Sequence, residues 1–507
     1  MRPDSQIRSV VIAGGGAAGW MAAAVLVRML RGNCRIQLIE TGNDDAELLD
    51  TAAGSLPQLR ALHAMLGIDE ADFMRKTRAT FRLGTLFQDW AGLGRAYFQP
   101  LGVIGASLEA VAFRHHWLRL RRHGDEFDFS DFSLCAVAAK AGKFTLPAAD
   151  RRSVLSTLDY GYHLDGRLYA AYLRHYAVER GVVRTLAPIA SVVQRSEDGF
   201  VEAIVLGGGE RVTGDLFIDC TGASARLAGQ TLQIPFESWT QWLPCDRIAT
   251  ATVRAPVSPM PYSQATACTA GWQSTIPLQH HTSHGYVYSS GDLGDDEAVT
   301  ALRRQSSGPP GADTEIRKFT SGRRAKFWSG NVIALGQAGV VLEPLEAVGL
   351  HLVQSGLTRL LALFPYRGSC EGEDEYNRLM TDEAERIRDF LILHYKATTR
   401  RDSAFWNRCR DMAVPETLDY KMRLFHSRGR VVLYDEETFD EASWTALFIG
   451  QGVIPQRYDP LADAVDIEQI RSQLKRMRST IRQGADSMPT HGVFLEKYCA
   501  AAEEADA

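Results

Sequence analysis

The apolar run Val10 to Ala13 stops at three successive glycines and resumes at Ala17 as an amphipathic stretch reaching about Leu30. A short continuous apolar run ended by glycine predicts a buried strand, and the three-and-four spacing after it predicts a helix. A second run, CRIQLIE, predicts a strand that ends at Glu40. The strand pattern returns much later, where GDLFIDCTG places one ahead of Cys220 and FWSGNVIALGQ places one ahead of Gly336. From about Cys370 the period becomes helical. DEYNRLMTDEAERIRDFLILHY and VDIEQIRSQLKRMRSTIRQGA carry apolar residues three and four apart with charges between. The expected fold class is α/β, with a discontinuous sheet-containing module over 1–365 and a helical part over 366–507 that covers a substrate. The last residues, from Ala500, read as a frayed tail.

Composition narrows this picture. With 507 residues, 45% hydrophobic and 23% charged, the chain has globular composition and room for a large core. A formal net charge of −5 excludes the dense basic field needed to hold nucleic acid or an anionic membrane. The local basic run RHHWLRLRR, Arg114 to Arg122, reads as a solvated helix face. Eight cysteines stand singly, without a CxxC pair, as expected for reduced thiols. The N-terminal apolar run breaks too early for a secretory signal, and no stretch approaches the roughly 18–20 apolar residues of a membrane span. A cytoplasmic protein without a nucleic-acid or membrane partner is expected.

The glycines after the first strand are Gly14, Gly16 and Gly19, in GxGxxG spacing, with Ala17 and Ala18 opening the helix. The first permits the tight turn, the second lets backbone approach a pyrophosphate, and the third lets the helix pack on the strand. An acidic residue about 20 positions on can accept a ribose hydroxyl, and Glu40 occupies that place. This fingerprint leaves NAD and FAD open. The late strand ends near Cys220 and Gly336 fit a flavin monooxygenase-like fold, in which distant segments close around an extended FAD, and they favour FAD.

Several segments together resemble the flavin-dependent tryptophan halogenase family. In GGGAAGWMAA a Trp, Trp20, directly follows the third glycine, as in that family. YGYHLDGRLYAAYLRHYAVERGV, DLFIDCTG, WLPCDR, GWQSTIPLQHHTSHGYVYSS, FWSGNVIALGQAGVVLEPLEAVGL and RIRDFLILHYKATTRRDSAFW are similar to family blocks, in family order, from about residue 8 to about 465. The resemblance implies a Rossmann-type FAD-binding domain, a mixed-sheet substrate region and a helical C-terminal part. It implies FAD used as FADH2 from a separate flavin reductase, halide (chloride or bromide) as co-substrate, and hypohalous acid delivered to a small, electron-rich, indole-like aromatic. A homodimer is among the assemblies it allows.

The family's reactive positions carry over one by one. Its PLES glutamate falls on Glu346 of EPLEAVG, as a proton acceptor or a group that orients hypohalous acid; the plain alternative is an acid complementing the following helix dipole. The family's next two hydroxyl residues are Ala347 and Val348 here, yet the Val348 and Gly349 amides still offer a halide site whatever the side chains. The family lysine that carries hypohalous acid is replaced by Arg82 in ATFRLGTLFQDW. A guanidinium stays protonated and has no free amine lone pair, so it can hold the oxidant as a donor but cannot become a haloamine. The alternative is a surface arginine on a strand. The family's GEAT becomes Ala52, Ala53, Gly54 and Ser55, and its WxWxIP becomes WQSTIP, with Ser274 in place of the second Trp. His280, His281 and His284 lack carboxylate or cysteine partners at ligand spacing, and no metal is expected. His394 and Tyr395 read as packing or substrate-wall residues. An oxygenating or peroxide-releasing flavoenzyme and a non-catalytic flavin-binding protein remain as alternatives.

Overall fold

A computed structural model of the chain describes residues 6–42, 48–254, 258–306 and 314–501, so the end of the expected frayed tail, 502–507, lies outside the described residues. Two compact units emerge, each built from three segments. The first takes Met1–Arg78, Leu164–Thr240 and Lys318–Glu385, and the second takes Ala79–His163, Gln241–Arg317 and Arg386–Ala507. The sequence pattern alone suggests one boundary near residue 365. Composition changes there, but each compact unit takes residues from both sides of that position.

The first unit is organised by a six-stranded sheet ordered Trp328–Ser329, Val332–Ala334, Leu216–Asp219, Ser9–Ala13, Arg35–Glu40 and Val183–Leu186. All its pairs are parallel except the edge pair Trp328–Ser329 with Val332–Ala334. A parallel sheet is covered on both faces, which is why its central strand is a continuous apolar run. In register, Ile12 lies between Ile218 and Leu38, and Val11, Ala13, Ile39, Phe217 and Val332 share one core cluster. The helix Ala17–Leu30 packs against Gly166–Val178, and its small buried residues Ala22, Ala23 and Ala24 let the helices approach. The four expected strands, ahead of Gly14, at Glu40, ahead of Cys220 and ahead of Gly336, all stand in this sheet.

The second unit carries a mostly antiparallel sheet that includes, in order, Arg247–Arg254, His281–Tyr288, Gly271–Pro277, Ser263–Cys268, Gly84–Gln88 and the edge strand Ala96–Pro100. Helices Phe113–Arg122, Glu441–Gly450 and Ile467–Asp486 belong to it. The basic run 114–122 is helical as expected, but solvated on one side only. Phe113, Trp117 and Leu120 recur at helical spacing and are buried, and the buried His115 and His116 bond to Asp459 N–H and to the Leu108 carbonyl. Arg121 and Arg122 are exposed. Helices Glu373–Lys396 and Ile467–Asp486 match the expected amphipathic segments, and His394 and Tyr395 are fully buried in packing. All eight cysteines are free thiols, and no helix among the described residues is long and apolar enough to cross a membrane.

Candidate functional site

In the first unit the sheet's central strand delivers Gly14 at φ 108°, a conformation that L side chains rarely adopt. A Cβ there would stand 2.0 Å from the Cys220 carbonyl oxygen, and one on Gly19 would stand 2.0 Å from the Gly14 carbonyl oxygen. These two glycines therefore permit a backbone-to-backbone approach that no other residue allows. Gly15, which the GxGxxG spacing leaves as a free position, is constrained by a side chain: its Cβ would lie 2.3 Å from Glu40 Cγ. Glu40 thus lies across the glycine loop, and its carboxylate accepts from Arg184 Nε at 2.5 Å, with Arg174 3.8 Å away. Gly16 is the N-cap of the helix that Ala17 and Ala18 open. No side-chain bond caps it and no acid lies in its first turn, so the helix start presents a positive pole. The cradle fits the pyrophosphate and ribose of a dinucleotide: side-chain volume is excluded where a phosphate backbone must approach.

A cleft in the same unit gathers Gly54, Gly336, Gln337, Glu343, Val348 and Gly349. Gly336, Val348 and Gly349 are expected there from the sequence; Gly54 lies in the segment Ala52 to Ser55; the buried Glu343 gives no signal beyond lying three residues before Glu346. Just beside this cleft, Glu346 and Ala347 both adopt left-handed backbone, with φ 59° and 62°. Two consecutive non-glycine residues there cost about 1–2 kcal/mol each, strain that the surrounding packing must impose. The pair turns the chain into helix Val348–Ala362, whose N-cap Ala347 offers no side-chain bond and whose first turn holds no acid. Glu346 itself is buried, 5% exposed.

That helix is fixed from behind by a buried ion network. Glu383 accepts from His351 Nε2 at 2.9 Å, from Ser355 Oγ at 2.6 Å and from Arg359 Nη1, three successive turns of the 348–362 helix. Burial alone would raise its pKa; the His351 bond and charge, the Arg359 charge and the Ser355 hydroxyl outweigh it and hold the group at about 2. Because the folded value lies below the ordinary 4.5, its stabilisation is present above about pH 4.5 and is lost as pH falls towards 2. Glu383→Gln is expected to cost about 3–5 kcal/mol near neutrality by removing the buried charge that pairs with Arg359. Urea unfolding at a series of pH values checks this: the gap between the native chain and the variant narrows below pH 4.5, and a constant gap would refute the assignment.

Arg82 belongs to the second unit. Its strand, Thr80–Arg82, pairs antiparallel with 161–163, setting Thr80 opposite His163 and Arg82 opposite Gly161. The side chain is 1% exposed and donates from Nη2 to Thr85 Oγ1 at 2.7 Å, so the surface-arginine alternative is wrong: the strand is interior. Two imidazoles hold its strand. Thr80 Oγ1 donates to the Pro277 carbonyl at 2.6 Å, so it accepts from His163 Nδ1 at 2.9 Å, which leaves His163 Nε2 to accept from Ser263 Oγ at 3.0 Å. His491 Nδ1 donates to the Pro259 carbonyl at 2.8 Å, and Nε2 accepts from Phe81 N–H at 3.3 Å. Burial first, then the Arg82 charge and then His491 push His163 well below the usual histidine range, and burial brings His491 to about 4. Both rings are neutral at pH 7. His163 sits inside the YGYHLDG block, whereas no sequence pattern points to His491.

Trp272 is buried, and Ser274 Oγ lies 2.6 Å from where a Cβ on Gly285 would stand. The residue at 274 therefore covers a bare backbone position on the neighbouring strand.

Comparison with known proteins adds a family to this geometry. The tryptophan halogenase family matches residues 9–467. Tryptophan 6-halogenase SttH of Streptomyces toxytricini is 28% identical, over 95% of this chain and 96% of its own. Among solved structures, BrvH, a flavin-dependent halogenase from Brevundimonas sp. BAL3, superposes with a TM-score of 0.93 at 41% identity, covering 97% of this chain and 99% of its own. Xcc4156, a flavin-dependent halogenase from Xanthomonas campestris, gives a TM-score of 0.94 at 38% identity, covering 98% and 99%.

Proposed function

The chain belongs to the tryptophan halogenase family, and on that premise we propose that it halogenates an electron-rich, indole-like aromatic with FADH2, oxygen and halide, its reductant coming from a separate flavin reductase. The observation that carries this reading is the buried Glu346 carboxylate, held on a strained left-handed pair directly ahead of an uncapped helix. FAD, the cofactor of flavin-dependent halogenases, supplies in its reduced form the electrons that convert oxygen and halide to hypohalous acid.

The chain's own residues do the rest. Gly14, Gly16 and Gly19, with Ala17 and Ala18 at the helix start, receive the pyrophosphate, Glu40 takes the ribose hydroxyls, and Gly336 borders the cofactor cleft. The Val348 and Gly349 amides bind halide at the positive end of their helix, and this survives the loss of the family's two hydroxyl side chains because the donors are backbone. Arg82 donates to the hypohalous oxygen and polarises the oxygen–halogen bond. The ring carbon bonds to halogen as the oxygen–halogen bond breaks, Glu346 accepts the ring proton, and that proton passes on to the departing hydroxide, which leaves as water.

The test is mass spectrometry of purified protein given FAD, a flavin reductase with NADH, oxygen, bromide, indole and catalase, with Arg82→Lys alongside. Bromoindole from the native protein, absent without it, is the expected result and makes a haloamine unnecessary. Bromoindole from Arg82→Lys alone would refute the role given to Arg82, and product gaining oxygen without halide would establish the oxygenating alternative.

A further inference from the structure

In the second unit, the edge strand Ala96–Pro100, helix Phe113–Arg122, the turn Phe129–Phe132 and helix Glu441–Gly450 surround a cavity of about 400 Å³. Phe98, Trp117 and Phe127 supply aromatic wall. Its charged lining is unbalanced. Lys140 lies 3.7 Å from Asp128 and donates to Ser130 Oγ at 2.6 Å, so those two charges offset each other. Arg95 and Arg121 have no ion-pair partner among the described residues; the Arg121 guanidinium stands 5.5 Å from the Trp117 ring centroid. Two arginines are thus left at the lip of an aromatic-walled space.

This space is not the surroundings of Arg82. Successive side chains of a strand point to opposite faces. Leu86 and Phe98, directly opposed across the Gly84–Gln88 and Ala96–Pro100 pair, both line the cavity. The next opposed pair is Thr85 and Gln99, and Thr85 is the residue to which Arg82 donates. Neither Arg82 nor Thr85 nor Gln99 is among the residues that line the cavity. Gly450 and Gly452 keep it open at the helix end: a Cβ on Gly450 would meet the Tyr97 ring at 2.4 Å, and one on Gly452 would lie 3.4 Å from the Arg95 guanidinium.

We propose that this cavity is a second ligand site, taking a planar aromatic molecule that bears a carboxylate: the ring lies against Trp117, Phe98 and Phe127, and Arg95 and Arg121 bind the carboxylate. Stacking on aromatic faces and charge-assisted bonds to a planar carboxylate are what these groups do best. The site stands whether or not the chain halogenates indole, since it shares no residue with Glu346 or Arg82.

Calorimetry on the full-length, FAD-loaded protein tests it with indole-3-acetate and neutral indole as probes. The acetate is expected to bind at least about tenfold tighter than indole, the range set by charge-assisted hydrogen bonds. Arg95→Gln/Arg121→Gln, at two exposed positions, abolishes that preference and leaves indole binding unchanged, while Ile449→Trp fills the cavity and removes the tight acetate binding. Native crystals soaked with 5-bromoindole-3-acetate locate the bromine directly by anomalous scattering, independently of any variant. Equal affinity for the two probes, a preference that survives the arginine substitutions, or bromine found only on the Thr85 side of the hairpin would each overturn the proposal.

Discussion

Replacing Glu346 by Gln lowers the rate of aryl bromide formation by about 10²–10⁴-fold, the range expected when a positioned acid–base group is removed, while FAD retention and the melting transition stay in place. Gln matches Glu in shape, so the buried site keeps its packing, and the left-handed backbone at 346 depends on neither charge nor proton. What disappears is a group able to accept the ring proton. A residue that merely complemented the helix dipole would behave oppositely: neutralising it would shift stability by some tenths of a kcal/mol and leave turnover near its native value. Measuring initial rates at saturating indole and bromide beside a thermal melt separates the two. Unchanged turnover with a lowered melting temperature would end the proton-acceptor role.

Gly14→Ala is expected to abolish FAD retention and to lower the melting temperature by more than either Gly15→Ala or Gly32→Ala. Two penalties coincide at that residue. Its φ of 108° is hostile to a side chain, and the added methyl would sit 2.0 Å from the Cys220 carbonyl oxygen and 2.4 Å from its carbon, atoms of an interior strand end that cannot swing away. Gly32→Ala isolates the first penalty, because its φ is 78° but nothing lies within 4 Å of the new methyl; a cost of about 1 kcal/mol is expected. Gly15→Ala isolates a softer clash, with the Glu40 methylenes. Flavin absorbance remaining after gel filtration and a thermal melt rank the three. A Gly14→Ala protein that keeps flavin and melts like Gly32→Ala would mean that the strand ends are not closely packed at this point.

The nucleotide end is legible in the sequence because its signals are local. A strand, three glycines, a helix and a terminal acid fall within residues 9–40, although the carbonyl that excludes a side chain at Gly14 belongs to distant Cys220. Even there Gly15 escapes the pattern, since its constraint comes from a side chain one strand away rather than from a turn. Helices 373–396 and 467–486 are legible from period alone. The interior position of Arg82 is not: nothing within a three-residue strand reports that 161–163, Ser263 and Pro277 close around it. The same holds for His491, which reaches Phe81 across 410 positions of sequence, and for the unit boundaries, which depend on which segments return. Long-range closure leaves no periodic trace.

The threefold segmentation of each unit bears on how the protein is made. Val10 finds its partner in Leu216, and the first unit is not complete until Glu385 has left the ribosome. Until then the apolar first strand and its helix wait without the neighbours that bury them, which exposes them to aggregation and favours a holding chaperone during synthesis. The second unit must likewise gather residues from Ala79 onward with others beyond Arg386. No single cut of the chain releases either unit whole, so halves expressed separately start out as mutual orphans, and recovery of the native protein from fragments requires that they meet before each collapses alone.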